Sequence, residues 1–168
     1  MKLTHIDVAG YKTILLDRDG TINRQRQGDY VKTWAEFEFL PEVFPALARF
    51  ARTAEHIFVV TNQRGVGRGR MSMEQLRDIH SRMVAEIVAH GGRIDGIYYS
   101  TGIDEKDRSR KPNIGMWEKM LHDYPDIRKD ATLMIGDGVC DEQFARNCGI
   151  AFMRVEKQRI LFIKETTD

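Results

Sequence analysis

Short apolar segments alternate with amphipathic stretches along this chain of 168 residues. The apolar segments have the length and composition of buried strands, and the stretches between them repeat apolar residues at helical spacing. Because strands that alternate with helices usually pair in parallel, the pattern predicts a layered α/β fold with a mainly parallel sheet. The predicted strands cover residues 13–17, 56–61, 94–99, 132–135 and 151–155.

The clearest helical patterns lie on either side of the second predicted strand. One covers about residues 41–52, with its prolines near the start, where proline is tolerated. The other follows Ser72, a suitable N-cap residue, and ends at Gly91 and Gly92. Its apolar stripe consists of Leu76, Ile79, Met83 and Ile87.

The rest of the chain gives weaker signals. A third helix is predicted over 114–123 and a fourth near Asp141, while residues 157–164 fit either an edge strand or a docked tail. The polar connection 24–40 contains aromatic residues that could line a substrate entrance or cover the core, and it is too short to form a cap domain. No repeat or linker divides the chain, so we expect one domain over 1–168.

Composition and charge argue against several classes of protein. The chain carries 26 basic and 25 acidic residues without a basic arm or an acidic tail, so its charge does not indicate nucleic acid as a partner. The first ten residues lack the apolar core of a signal peptide, and no apolar stretch reaches membrane-spanning length. We therefore expect a soluble, cytoplasmic monomer or weak homodimer. Cys140 and Cys148 are expected to be reduced, and the scattered histidines to be structural.

The most informative motif lies where the first predicted strand ends. Asp17 can attack phosphorus and carry an aspartyl-phosphate, while Asp19 can protonate the leaving group and later take a proton from water. Gly20 lets the backbone approach a phosphate, and Thr21 adds a hydroxyl donor. An ordinary strand followed by an acidic turn is the alternative interpretation.

A second polar segment follows the strand predicted over 56–61. Thr61, Asn62 and Gln63 offer a hydroxyl and two amides at the carboxyl end of a strand, where open α/β sheets bind ligands. Together with backbone N–H groups, they could hold phosphate oxygens. The glycines in 65–69 could instead form a dinucleotide-binding loop, but their spacing does not match that motif.

Two further segments bring charges of both signs. Lys111 precedes a proline and is therefore extended, so that its ammonium can offset the charge of Asp17, although a solvated lysine is the alternative. Asp137 and Asp141 follow an apolar strand and suit Mg²⁺, although Asp141 could also be a helix N-cap or first-turn acid. A metal beside Asp17 would keep it ionised while Asp19 holds a proton.

These segments together resemble the haloacid dehalogenase (HAD) superfamily of phosphatases. The motifs that carry the resemblance are Asp17-x-Asp19-Gly20-Thr21, Thr61, Lys111 and Gly136-Asp137-x-x-x-Asp141. The chain is most similar to the subgroup of D-glycero-D-manno-heptose-1,7-bisphosphate 7-phosphatases and histidinol-phosphate phosphatases. That similarity rests on Leu-Asp-Arg-Asp-Gly-Thr-Ile-Asn, Val-Thr-Asn-Gln-x-Gly-x-x-Arg-Gly, Gly-Ile-Tyr-Tyr and Arg-Lys-Pro-x-x-Gly-Met, and it covers about residues 12–155.

The resemblance implies a three-layer, Rossmann-like fold without a large cap domain, and a Mg²⁺-dependent phosphatase. Asp17 would be the nucleophile and Asp19 the general acid and base. Magnesium would be bound by the Asp17 carboxylate, the Asp19 backbone carbonyl and Asp137, with Asp141 behind these ligands or orienting Lys111. Contacts to phosphate and substrate would come from Arg18, Gly20, Thr21, Thr61, Asn62, Gln63, Arg110 and Lys111.

One departure concerns a structural zinc loop, which in this subgroup carries Cys-x-His and Cys-x-Cys ahead of Arg-Lys-Pro. The corresponding positions here are Ser100, Gly102, Asp107 and Ser109. None of them offers a thiolate or an imidazole, so we predict that no zinc is bound. Because this loop borders the substrate in the relatives, its change leaves the exact substrate open.

The expected function is hydrolysis of a small phosphorylated metabolite, first of all a sugar bisphosphate such as D-glycero-D-manno-heptose 1,7-bisphosphate. Histidinol phosphate and a 3′-phosphorylated nucleic-acid end are the alternatives among enzymes. Outside enzymes, the alternative is a phosphate-sensing or phospho-accepting module. Such a receiver does not need Asp19 as an acid, whereas this chain has both Asp19 and Asp137.

Overall fold

A parallel sheet of five strands forms the centre of the computed structural model, which describes residues 1–156. The strands are β1 (Thr13–Leu16), β2 (His56–Asn62), β3 (Gly96–Ser100), β4 (Thr132–Gly136) and β5 (Ala151–Arg154), in the order β3-β2-β1-β4-β5. The helices are α1 (Val43–Ala51), α2 (Arg64–Gly67), α3 (Met73–Ala89), α4 (Gly115–Asp123) and α5 (Val139–Cys148). The predicted α/β class is thus confirmed, while the prediction for 157–164 lies outside the described residues.

The alternating side chains of the strands divide the core into two layers. On one face, Ile14 and Leu16 belong to a cluster that includes the buried apolar side chains of α1 and α3. On the other face, Leu15 belongs to a second cluster with Trp117 of α4 and Phe144 of α5. Each fully buried side chain of this size contributes about 1.5–3 kcal/mol to stability, so the two clusters hold helices on both faces of the sheet.

The N-cap predicted for the long helix is present. Ser72 caps α3 as expected, because its Oγ accepts from the N–H of Gln75 at 3.0 Å while the Gln75 side chain accepts from the N–H of Ser72 at 2.8 Å. Within residues 1–156, no helix is both long enough and apolar enough to cross a membrane.

Helix α2 was not predicted, because two of its four residues are glycines. The structure shows that these glycines leave space for neighbouring groups. A Cβ added at Gly65 would lie 2.8 Å from the ring of Tyr30, and one added at Gly67 would lie 2.0 Å from the carbonyl oxygen of Thr101. The short helix is therefore packed closely between two loops.

Candidate active site

A cleft of about 340 Å³ lies beside the carboxyl ends of β1, β2 and β4. This edge is where open α/β sheets bind their ligands. Most of the site residues predicted from the sequence line the cleft, namely Asp17, Arg18, Asp19, Asn62, Gln63, Arg110, Lys111, Asp137 and Asp141. The fold thus brings four separated segments of the chain to one place.

Lys111 is the central cation of the site, and only 2% of its side chain is exposed. Its Nζ donates to Oδ1 of Asp17 at 2.9 Å, to Oδ1 of Asp141 at 2.6 Å and to the carbonyl of Val60 at 2.7 Å. The Asn62 side chain accepts from the Lys111 N–H at 2.9 Å and donates to its carbonyl at 3.0 Å. Lys111 therefore links β1 and β2 to α5.

Three carboxylates converge beside this lysine. One oxygen from each of Asp17, Asp137 and Asp141 lies within 4.8 Å of the others, close enough for a shared metal ion. Gly20 permits the approach of Asp137, because its φ is +90° and an added Cβ would lie 2.4 Å from Oδ2 of Asp137. Carboxylate oxygens are the ligands that Mg²⁺ prefers, so these residues fit the ion expected from the sequence.

The buried charges of this cluster shift one another's pKa values. Burial and the neighbouring carboxylate of Asp141 raise the pKa of Asp17 to about 7, although Lys111 acts in the opposite direction. Burial would lower the pKa of Lys111, but Asp17 and Asp141 outweigh it and hold that pKa above its ordinary value. Lys111 therefore stays charged, while the protein's own groups leave Asp17 about half protonated at neutral pH.

The Asp19 carboxylate is held by three donors. Arg18 and Asn23 donate to its Oδ1 and Gln63 donates to its Oδ2, each at 2.9 Å. Burial would raise the pKa of Asp19, but the charge and hydrogen bond of Arg18, together with the two amides, hold it below its ordinary value. The sequence predicts an ionised Asp17 beside a bound metal and a protonated Asp19. The groups of the protein alone give Asp17 the higher pKa, because burial and the Asp141 carboxylate raise it, while Arg18 and the two amides lower the pKa of Asp19.

The family described as polynucleotide kinase 3 phosphatase matches residues 12–158. The chain belongs to this family. All five strands and the cleft residues named above lie inside the matched range. The resemblance to HAD phosphatases is confirmed by this match and by the relatives that follow.

Two curated relatives of this phosphatase carry closely related names. The D-glycero-alpha-D-manno-heptose-1,7-bisphosphate 7-phosphatase of Mycobacterium tuberculosis is 38% identical over 145 residues, which cover 85% of this chain and 76% of that protein. A probable D-glycero-D-manno-heptose-1,7-bisphosphate 7-phosphatase of Thermoplasma acidophilum is 34% identical over 143 residues, which cover 84% of this chain and 88% of that protein.

Two solved structures of similar proteins confirm the fold of this chain. The D,D-heptose 1.7-bisphosphate phosphatase from B. bronchiseptica, complexed with magnesium and phosphate, has a TM-score of 0.78 and 32% identity, covering 84% of this chain and 78% of that chain. A putative HAD-like phosphatase from Mesorhizobium loti has a TM-score of 0.72 and 29% identity, covering 84% of this chain and 70% of that chain.

In this phosphatase, the buried side chain of Arg18 holds the carboxylate of Asp19. Only 1% of its side chain is exposed, so it has little surface to offer a substrate. Its Nη2 holds Asp19, its Nη1 lies 3.2 Å from Nε2 of His80, and its guanidinium lies 5.9 Å from the ring centroid of Phe37. Because arginine only donates, His80 is the acceptor and is neutral. No sequence pattern indicated this role for His80.

Replacing His80 with Gln should make the protein more resistant to acid. Burial and the charge of Arg18 lower the pKa of His80 from 6.5 to about 3. The unfolded chain therefore binds a proton first as the pH falls, and stability decreases between about pH 6.5 and pH 3. His80→Gln still accepts from Arg18 but takes up no proton, and it should remove about 2 kcal/mol of that loss at pH 5.

Urea unfolding at pH 7 and pH 5 measures this difference between the variant and the unaltered protein. The matched control is His122→Gln, because 89% of the His122 side chain is exposed. Equal acid losses in the His80 variant and the unaltered protein would contradict the prediction.

Thr21 does not contact the main cleft, contrary to the expectation of a phosphate contact. Its N–H donates to the carbonyl of Arg18 at 3.2 Å in the tight turn after β1, and its side chain points into the protein. With Gly20 and Leu40, it lines a smaller cavity on another side of the turn. Gly20 contributes to the main cleft through the space that it leaves for Asp137.

Thr61 and Asn62 are engaged by other side chains of the site. Thr61 is 1% exposed, and its Oγ1 accepts from Nε2 of Gln63 at 2.9 Å, the same nitrogen that holds Asp19. Asn62 holds the backbone of Lys111. Both residues therefore position other site residues, and direct phosphate contacts remain predictions.

Direct hydrogen bonds shape the loop at the positions of the subgroup's zinc ligands. The hydroxyls of Ser100 and Ser109 lie 2.7 Å apart, and Oδ1 of Asp107 accepts from the N–H of Ser109 at 2.8 Å and from its hydroxyl at 2.7 Å. Gly102 lies against Asp107, where a Cβ would come within 2.3 Å of the carboxylate. The absence of zinc stays a prediction.

The aromatic side chains of the connection 24–40 lie both at the cleft and against the core. Tyr30 lines the cleft, and its role at a substrate entrance stays a prediction. Phe37 stacks on Trp34 and contacts Phe39 edge to face, and all three belong to or pack against the core cluster.

Proposed function

We propose that this protein is a Mg²⁺-dependent phosphatase that removes one phosphate from a sugar bisphosphate, with D-glycero-D-manno-heptose 1,7-bisphosphate as the first candidate. The observation that carries the proposal is the contact of Lys111 with Asp17 and Asp141, beside Asp137 and within one cleft. The names of the relatives supply the substrate candidate.

In the first half of the reaction, a carboxylate oxygen of Asp17 attacks phosphorus and the bond from phosphorus to the ester oxygen breaks. Asp19 gives its proton to the leaving oxygen. Since three donors favour the ionised form of Asp19, binding of substrate must displace at least part of this contact before Asp19 carries a proton. Lys111 offsets negative charge on Asp17 and on the phosphate.

In the second half, Asp19 takes a proton from water, the water oxygen attacks phosphorus, and Asp17 is released with inorganic phosphate. The ionised form of Asp19 that Arg18 and Gln63 favour is suited to this step. Asp17, Asp137 and the backbone carbonyl of Asp19 would hold magnesium, which would supply positive charge against Asp17 and the phosphate oxygens when bound.

Metal removal tests the proposal. We expect hydrolysis of p-nitrophenyl phosphate in the presence of Mg²⁺, a loss of at least about 100-fold after chelation and recovery on adding Mg²⁺ back. Asp137→Asn should raise the Mg²⁺ concentration needed for half-maximal activity. Asp130→Asn is the matched control, because Asp130 is exposed and paired with Arg128. Full turnover in the chelated protein would refute magnesium dependence.

A 3′-phosphorylated nucleic-acid end is the second candidate substrate, because the matching family is described as polynucleotide kinase 3 phosphatase. The net charge of +1 gives no general attraction to nucleic acid. Comparing kcat/KM for a short 3′-phosphoryl oligonucleotide, histidinol phosphate and the heptose bisphosphate decides among the substrates.

A further inference from the structure

Two polar contacts in series join helix α3 to the carboxylate of Asp19. Nε2 of His80 lies 3.2 Å from Nη1 of Arg18, and Nη2 of Arg18 donates to Oδ1 of Asp19 at 2.9 Å. His80 is 7% exposed and does not line the cleft, whereas Arg18 and Asp19 do. Any effect of His80 on a substrate must therefore pass through Arg18.

Arg18 depends on His80 for its orientation. Among residues 1–156, the hydrogen-bond partners of its side chain are Asp19 and His80, and its Nε is buried without a partner. Without His80, Asp19 would be the single acceptor for this guanidinium in the described part of the chain. One bond cannot fix the plane of a fork that carries five N–H donors.

The structure holds the His80 ring in the form that this contact needs. The ring lies 5.8 Å from that of Tyr99, and His80 is one of the buried residues of α3. Burial and the charge of Arg18 lower the pKa of His80 to about 3, so it is a neutral acceptor at neutral pH. A neutral acceptor orients Arg18 without competing with Asp19 for its charge, as a carboxylate at this position would.

The orientation of Arg18 matters because Asp19 must reach the leaving oxygen. Substrate needs to displace only Gln63 to free Oδ2 of Asp19 for a proton, while Arg18 keeps its hold on Oδ1. A general acid acts only within hydrogen-bond reach of the atom that it protonates, and a misplacement of about 1 Å can cost about 100-fold in rate. A guanidinium that turns would move the Asp19 carboxylate with it.

We propose that His80 is a positioning residue for Asp19, which acts through Arg18 to hold this acid where it protonates the leaving oxygen. This inference rests on the proposed function and adds a residue of α3 to its proton transfer. The effect of His80 should depend on the substrate. A strongly basic leaving oxygen needs the proton, whereas p-nitrophenolate is a weak base and can leave without it.

His80→Leu tests this role with phenyl phosphate and p-nitrophenyl phosphate, which are similar in shape but differ in the basicity of the leaving oxygen. The measured quantity is kcat/KM, because it covers the steps up to departure of the leaving group. We expect it to fall about 10- to 100-fold for phenyl phosphate and less than about threefold for p-nitrophenyl phosphate. His80→Gln keeps an acceptor for Arg18 and should restore both values to within about threefold of the unaltered protein.

The matched control is His122→Leu, because the His122 side chain is exposed, and it should change neither value. In a double-mutant cycle, Arg18→Met removes the link, so adding His80→Leu to it should cause no further difference between the two substrates. Urea unfolding at pH 7 checks that each variant is folded. If His80→Leu does not fold, His80→Asn replaces it, because its amide is shorter and ends farther from Arg18.

Equal losses for the two substrates, no loss for either, or no rescue by His80→Gln would overturn the positioning role and leave the proposed function standing. A further difference between the substrates on adding His80→Leu to Arg18→Met would overturn the route through Arg18. Failure of the unaltered protein to hydrolyse either substrate with Mg²⁺ would instead count against the proposed function itself.

Discussion

Asp17→Asn should abolish phosphatase turnover, with a loss on the order of 10⁴-fold or more in kcat. An amide is a poor nucleophile and cannot form the acyl phosphate on which both halves of the proposed reaction depend. The shape of the side chain is unchanged, so it can still accept the hydrogen bond that Lys111 donates at 2.9 Å. Initial rates with p-nitrophenyl phosphate and saturating Mg²⁺ measure the effect.

The same substitution should not reduce folding stability. Because the folded protein raises the pKa of Asp17 to about 7, the folded state holds a proton that the unfolded chain releases near pH 4. Stability in metal-free buffer therefore decreases as the pH rises from about 4 to 7, and Asp17→Asn escapes this loss. The variant should be at least as stable as the unaltered protein at pH 8.

An inactive variant with unchanged or higher stability would show that Asp17 is required for chemistry rather than for folding. Asp78→Asn is the matched control, because Asp78 is half-exposed on α3 and pairs with Arg82. It should keep full activity. Undiminished activity in Asp17→Asn would contradict the assignment of the nucleophile.

Lys111→Met should both inactivate the protein and destabilise it by about 3–5 kcal/mol at pH 7. The substitution leaves the carboxylates of Asp17 and Asp141 buried without the ammonium that both contact. The pKa of Asp17 should rise further without the ammonium, so the destabilisation should shrink as the pH falls below 6 and this carboxylate takes up a proton. Urea unfolding of the metal-free variant between pH 5 and pH 8 measures this dependence.

A second substitution separates charge from packing in this experiment. Lys111→Met combined with Asp141→Asn removes one charge of each sign, so it should recover most of the lost stability but not the activity. Lys106→Met, at an exposed position of the loop before Lys111, is the control and should change neither property. A Lys111→Met protein as stable as the unaltered one at every pH would contradict the electrostatic explanation.

The sequence predicted the parts of the fold that depend on local pattern. Apolar runs and a capping residue such as Ser72 act over a few residues, so they can be recognised without the fold. Asp17 and Asp137 could be grouped in advance because each directly follows a strand, and parallel strands end at one edge of a sheet. Lys111 joined them because it precedes a proline and is extended. The order of the pKa values of Asp17 and Asp19 could not be predicted in this way.

Features that depend on distant contacts were not visible in the sequence. His80 lies on the buried stripe of α3, and only the folded structure shows that it meets Arg18, 62 positions earlier. Thr21 belongs to a phosphatase motif, yet the turn directs its hydroxyl into the protein. The helix at the glycines of α2 was not predicted, because a sequence does not show which backbone or ring will lie against them.

The three acceptors of the Lys111 ammonium come from the residue after β1, from β2 and from α5. A partly folded chain that lacks any one of these elements would have no assembled nucleophile, so no fragment or folding intermediate of this protein should turn over phosphate. Recovery of activity during refolding would consequently follow the slowest of these elements to dock, which makes catalysis itself a reporter of complete folding.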